Sequence, residues 1–150
     1  MSAISTLEHI SNDGNSVAVK EMSRVLKVGG HMVITVPFGS FEEERQRGIS
    51  YFQRVYDKET IYERLIEPSG LDVVKIEYFG ETRYNFTKYW GMIPSSLRIP
   101  LLWAQPIFSK LFLRVVKDVD SLSGDEQNVF MKTGGVCLSF KKSKGKYANK

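Results

Sequence analysis

"EMSRVLKVGGHMVITVPFG" (residues 21–39) predicts a helix end joined to a buried strand through one tight turn, and the fold class follows from that junction. Residues 13–27 read as the helix, with Asn12 or Asp13 placed to cap it. Ala18, Met22, Val25 and Leu26 recur at helical spacing and should form its apolar face. "KVGG" stops the helix, Gly29 being suited to the left-handed backbone that follows a last turn. "HMVITVPF" (31–38) comes at once and is apolar at consecutive positions, with Thr35 interrupting. Such a strand is expected to be buried on both faces, as in a parallel sheet flanked by helices. Pro37 ends it.

Upstream, "SAISTLEHISNDGN" (2–15) reads as the carboxyl end of another strand: Ala3 and Ile4 give way to Ser5, Thr6, Glu8 and His9. Downstream, 40–56 is charged and irregular and predicts a loop or lid, with "EEER" (42–45) solvated. Asp57 can cap a second helix through about Glu67, carrying Ile61 and Leu65 on one face, before "PSG" breaks it. "LDVVKIEYF" (71–79) is a third strand and "GGVCLSFKK" (134–142) a last one. Between them, about 81–132 reads as an insertion without a simple pattern, holding Trp90, Trp103, three prolines and one helical stretch near 107–117. Strand, helix, strand, helix, strand, insertion, strand is the order of a single α/β domain with right-handed crossovers. Ligands on such sheets bind beyond the carboxyl ends of the strands, so "STLEH" and "PFGS" are the candidate site segments.

Composition agrees with one ordinary globular domain: 150 residues, 42% hydrophobic and 25% charged. The formal charge is +4, with much of the excess expected in the lysine-rich end "KKSKGKYANK" (141–150), whose basic tail at 143–150 is read as a solubility feature with no nucleic-acid partner. The single Cys137 lies in a strand-like run and forms no internal disulfide, which fits a reducing, cytoplasmic compartment. No signal peptide is evident. The most apolar stretch, 97–116, carries Arg98, Lys110, Arg114 and two prolines and makes a poor spanning helix.

"STLEHI" (5–10) followed by residues 21–39 resembles the second half of a class I S-adenosylmethionine-dependent methyltransferase, of the broad group that includes the ubiquinone-biosynthesis O-methyltransferases. "RVYDKETIYERLIEPSGLDVVKIEYFGE" (54–81) is similar to the family's run into its sixth strand. Val28 stands where the family usually has proline, which leaves the turn glycines intact. The likeness covers residues 2–81 and the last strand, and leaves the 81–132 insertion uncovered. It implies an α/β fold: a partial Rossmann-like methyltransferase sheet, parallel strands with an antiparallel C-terminal hairpin, flanked by helices. The family's first half carries the glycine-rich loop and the acid that holds the cofactor ribose. No G-x-G occurs in this sequence. The resemblance therefore implies a domain without that half. Its cofactor would be S-adenosylmethionine, bound tightly only when the other half is supplied, and its acceptor a small molecule; the chain alone is expected to be inactive.

By the same resemblance Ser5, Thr6 and Leu7 would meet the methionine end of the cofactor, and Glu8, Phe38, Arg54 and Tyr56 the acceptor. His9 would be the catalytic base, accepting an acceptor hydroxyl proton; the alternative is a histidine that packs beside the following helix. Phe38 walls an acceptor pocket or simply ends a strand. Arg54 grips an anionic acceptor through paired hydrogen bonds or is a solvated lid arginine. Relatives that hold a metal carry an acid where Ser5 stands here, so no metal is expected. In the 107–117 stretch, Ile107, Phe108, Leu111, Phe112 and Val115 would share one helical face and Lys110, Arg114 and Lys117 the other. Such a helix makes peripheral membrane contact, covers a lipid-like acceptor, or packs on its own domain. A rival to the enzyme is a non-catalytic module that binds a membrane surface or a partner protein. "SAIST" lacks the lysine, proline or long charged side chain that usually blunts a sheet edge, so self-association through the N-terminal strand is expected.

Overall fold

The computed structural model describes residues 1–47, 51–82, 86–104, 106, 107, 110 and 113–144. Strand β1 (Ser2–Ile4) leads through a single 3₁₀ turn, Leu7–His9, to helix α1 (Gly14–Val25). Strand β2 (His31–Pro37) follows, then a hairpin of β3 (Glu43–Arg47) and β4 (Tyr51–Val55). Helix α2 (Lys58–Ile61) runs through a π-helical segment, Tyr62–Ile66, into the short α3 (Glu67–Ser69). Strand β5 (Asp72–Glu81) precedes helices α4 (Phe86–Met92) and α5 (Ser95–Leu101). Strand β6 (Leu113–Val116), helix α6 (Gly124–Thr133) and strand β7 (Gly135–Lys141) follow.

The result is a mixed α/β fold around a five-stranded sheet in the order β1-β2-β7-β5-β6. β1 and β2 pair in parallel, and β7 is antiparallel to both of its neighbours, β2 and β5. The four strands expected from sequence are therefore present, with the last lying antiparallel between the second and third. Two details of the helix ends also hold. Gly29 sits at φ 78°, a left-handed backbone that costs glycine little. Asp57 accepts from the Thr60 N–H while the Thr60 hydroxyl meets the Asp57 N–H, a reciprocal cap. Asp13 stands at the start of α1 but makes no side-chain cap there.

Burial departs from expectation on β2. Met32, Ile34 and Val36 are fully buried while Val33, Thr35 and Pro37 are only half-buried, so one face is closed and not two. The closed face packs against Val19 of α1 and Ile61 and Leu65 of the second helical run, with Leu138 and Phe140 of β7. On α1 the buried positions are Asn15, Val19 and Ser23, with Ala18, Met22 and Leu26 packed partly against the core. Val25, expected on the apolar face, is exposed.

Two stretches fold differently from their local pattern. Residues 43–47 and 51–55 pair as antiparallel strands in place of the expected irregular loop. The stretch 113–116 is a strand and not part of a 107–117 helix, and it pairs antiparallel with β5 from Tyr78 to Glu81. The exposed ladder of β5 and the β-branched pair Val115–Val116 outweigh a helical period that only side-chain spacing supported. Phe108, Leu111 and Phe112, the rest of that proposed face, lie outside the described residues, as do 145–150 of the basic tail.

β1 is an edge strand: its ladder with β2 uses one side only, and Ile4 is 64% exposed. Replacing Ile4 by lysine is expected to reduce self-association of the purified chain, read by sedimentation velocity, while amides of β2 and β7 keep their hydrogen-exchange protection. A wild-type chain that stays monomeric at tens of micromolar would show that the edge does not pair.

Candidate functional site

The chain leaves the sheet abruptly at the carboxyl end of β1. Ser5 adopts φ 47°, and its N–H donates to the Thr35 carbonyl at 3.1 Å, turning the backbone away from the edge. Thr6 donates from its hydroxyl to the Ile4 carbonyl at 2.9 Å, and the 3₁₀ turn then drives Leu7 and Glu8 into the interior. At the end of β2, Phe38 forms a bridge to Tyr56, so the hairpin's last strand closes over the same end of the sheet.

A cavity of about 270 Å³ opens there, beyond the carboxyl ends of β1 and β2. Ser5, Thr35, Gln53, Lys132 and Thr133 supply its polar wall, and Phe38, Phe79 and Met131 its apolar wall. Space for it depends on Gly135: a Cβ there would stand 2.5 Å from the Phe79 ring, so any side chain would displace that wall. Phe38 in turn is held at 4.7 Å from the Tyr78 ring at an interplanar angle of 58°, a favourable tilted contact.

Of the residues singled out in the sequence, Ser5 and Phe38 line this cavity; Thr6, Leu7, Glu8, His9, Arg54 and Tyr56 do not. Glu8, Arg54 and Tyr56 instead belong to a buried polar cluster behind it. Asn15 donates to the Tyr56 hydroxyl at 2.8 Å. Arg54 is 1% exposed, donates to the Asn12 carbonyl at 3.1 Å, and pairs with Glu42 and Glu44. The arginine expected to be solvated is thus buried, and Glu42 and Glu44 of "EEER" pair with it across the hairpin, Glu44 staying exposed. Arg64 pairs in turn with Glu42 and Asp13. Burial pushes the Tyr56 phenol above its ordinary pKa, against the pull of Asn15 and Arg54. Burial also works against the Arg54 charge, but the hydrogen bond and attraction of Glu44, with Tyr56 and Glu42, outweigh it and hold its pKa high.

Glu8 is the chemically unusual member. Its side chain is 2% exposed and its Oε2 has no hydrogen-bond partner among the described residues. Burial raises its pKa above the ordinary 4.5, opposed by its own backbone N–H and by His9. His9 lies at the surface with Nδ1 2.7 Å from the Phe52 carbonyl oxygen. A carbonyl only accepts, so Nδ1 carries the hydrogen and Nε2 is the basic nitrogen of the neutral ring. That Nε2 lies 3.9 Å from Glu8 Oε1. Among the described residues no group of three or more His, Cys, Asp or Glu side chains is placed to hold a metal ion.

Sequence reasoning missed Thr35, Gln53, Lys132 and Thr133 on the cavity wall. Lys132 and Thr133 end α6, whose start was legible: Ser123 and Glu126 form the S-x-x-E capping box. Gln53 carried no such signal, because only the hairpin turns it towards the cavity.

The buried carboxyl gives a pH dependence of defined sign. A pKa raised by folding means the native state binds the proton more tightly, so stability falls as pH rises through the window above 4.5. Glu8→Gln is expected to flatten that fall and to raise the melting temperature at neutral pH, measured by thermal unfolding across pH. An unchanged pH profile in the variant would show that Glu8 is not the group responsible.

Comparison with protein-family models, curated proteins and solved structures finds no match to this chain.

Proposed function

We propose that the chain forms the carboxyl-terminal half of a class I methyltransferase fold and the acceptor side of its active site, with S-adenosylmethionine as methyl donor. The observation that carries this reading is the strand order. β1, β2 and β5 run in one direction, and β7 is reversed between β2 and β5, with the cavity beyond the carboxyl ends of β1 and β2. In a parallel α/β sheet that end is where ligands bind.

The residues suit part of the cofactor only. Ser5 and Thr6, exposed where β1 ends, can meet its amino-acid end, with Leu7 behind them fixing the turn. The adenosine end has no cradle in a sequence without G-x-G. Phe38, Phe79 and Met131 form an apolar seat for a small acceptor, and Lys132 and Gln53 supply charge and hydrogen bonds beside it. The cofactor supplies an activated methyl and its own leaving group. The protein's task is then to hold acceptor and methyl in line, with at most one base. For an oxygen acceptor, the oxygen would gain the methyl, S-adenosylhomocysteine would leave, and the acceptor proton would pass by way of water to His9, which lies at the surface outside the cavity wall. Arg54 and Tyr56 hold the hairpin over the cavity from behind.

The test starts with the DNA upstream of the Met1 codon, expected to encode a strand followed by a G-x-G-x-G loop. Co-expressed with that segment, the chain should bind S-adenosylmethionine in calorimetry at least about a hundredfold more tightly than it does alone. Low-micromolar binding by this chain alone, or no such segment upstream, overturns the reading in favour of a non-catalytic module. In the assembled protein, His9→Ala is expected to lower kcat by about a hundredfold while cofactor affinity stays within about twofold. Unchanged turnover would make His9 a packing residue.

A further inference from the structure

The stretch from Thr82 to Lys117 differs from the rest of the molecule in two independent ways. It contains six lysines and arginines and no aspartate or glutamate, while the remainder holds fifteen basic and seventeen acidic residues. All the excess positive charge of the chain therefore resides in this one segment. Both tryptophans and five more aromatic residues lie in it as well.

The second difference is burial. Among the described side chains from Tyr89 to Asp118, none is buried. Tyr89, Met92, Leu97, Ile99, Leu102 and Ile107 are exposed, and Trp103 is 91% exposed. These side chains contribute nothing to the core, which is built by β2, β5 and β7 with α1, the second helical run and α6. Helices this apolar need a cover that the domain itself does not provide.

We infer that α4, α5 and the turn to Ile107 are an in-plane anchor for an anionic lipid surface. The segment joins exposed aromatic and aliphatic side chains to cations alone. An anionic bilayer suits both: tryptophan and tyrosine settle at the headgroup level, aliphatic side chains enter the acyl boundary, and lysine and arginine pair with lipid phosphates. Seven-residue helices are far too short to span a bilayer, which takes about twenty residues, so the segment lies on the membrane. Lys110 and Lys117, both exposed, follow the apolar run and are placed to reach the headgroups. The inference does not depend on methyl transfer, and an enzyme or a binding module would use the anchor alike.

Vesicles of phosphatidylcholine, alone or doped with phosphatidylglycerol, test it by co-sedimentation. The whole chain is expected to pellet with the doped vesicles at low salt, to be released as salt rises, and to ignore pure phosphatidylcholine. Its tryptophan emission should shift to the blue and be quenched by brominated acyl chains. Trp103→Ser should weaken binding by about tenfold, and Lys110→Glu with Lys117→Glu should weaken it and lessen its salt dependence. Val28→Ser, an exposed apolar site on the α1–β2 turn, should change nothing. Absence of binding to doped vesicles overturns the inference. So does binding that Trp103→Ser leaves intact, or concentration-dependent oligomers without lipid that Trp103→Ser dissolves, which would identify the cover as a second copy of the chain. If Trp103→Ser fails to fold by circular dichroism, quenching of the wild-type chain by brominated lipid decides between these outcomes.

Discussion

The ladder that places β7 between β2 and β5 is the constraint on which the remaining structure depends. It pairs His31–Pro37 with Lys141–Gly135 on one side and Asp72–Phe79 with the same strand on the other. Without it, the strands expected to build the sheet would be two separate edges some forty residues apart in sequence, each presenting unpaired backbone. Ordering so distant a segment costs loop-closure entropy, and burial of Val136, Leu138 and Phe140 offsets it. The strand is also pinned at both ends. At its start Phe79 lies across Gly135 and Phe130 against Gly134; at its exit the Lys142 ammonium donates to the Ser23 and Arg24 carbonyls near the end of α1. A cation at a helix carboxyl end is favoured by the helix dipole, so the last strand also completes the first helix.

What this ladder leaves open, the polar cluster closes. Beyond its hairpin partner, β4 is joined to the rest of the molecule by the bridge from Tyr56 to Phe38 and by the His9 ring at the Phe52 carbonyl, and two short strands need more than that to be held over the sheet end. Arg54, buried among carboxylates, fastens β4 to Glu42 and Glu44 and to the backbone of Asn12, and Tyr56 fastens the same strand to Asn15 of α1. Breaking such an arrangement leaves a buried charge without compensation, which makes the hairpin's position specific. The cavity wall at Gln53 and Val55 is a product of that fastening.

The legible parts of the chain were those where one physical signal ruled. The run from Val33 to Val36 is β-branched throughout, which favours a strand, and it lies in β2. Gly29 and Asp57 mark helix ends by local chemistry alone, and each does so in the structure. The illegible parts needed partners distant in sequence. Arg54 looks solvated until Glu42 and Glu44 are brought across a hairpin, and "EERQR" carries no alternation of polar and apolar residues to announce a strand. The period of 107–117 suggested a helix, yet Leu113–Val116 lies where an unpaired edge of β5 offers hydrogen bonds. For the site the division is the same: Ser5 and Phe38 follow from being strand ends, while Lys132 and Gln53 arrive from elements whose position sequence did not specify.

The sheet has two unequal faces, and the difference locates where chemistry and contact can occur. Met32, Ile34, Val36, Leu138 and Phe140 point into the closed face, and α1 and the second helical run cover them. Val33, Thr35, Cys137 and Ser139, alternate residues of the paired strands, stay half-buried on the other. Burial with Glu77 nearby pushes the Cys137 thiol up in pKa, so it is not an activated nucleophile. A face of valine, threonine, cysteine and serine is neither polar enough to be a finished surface nor apolar enough to be a core on its own. It adjoins the exposed edge of β1. The acid-free segment lies in a different part of the chain, after β5 and before β6. The molecule therefore sets apart an exposed sheet edge with a half-covered face, a cavity beyond the strand ends, and an apolar cationic segment without acidic residues.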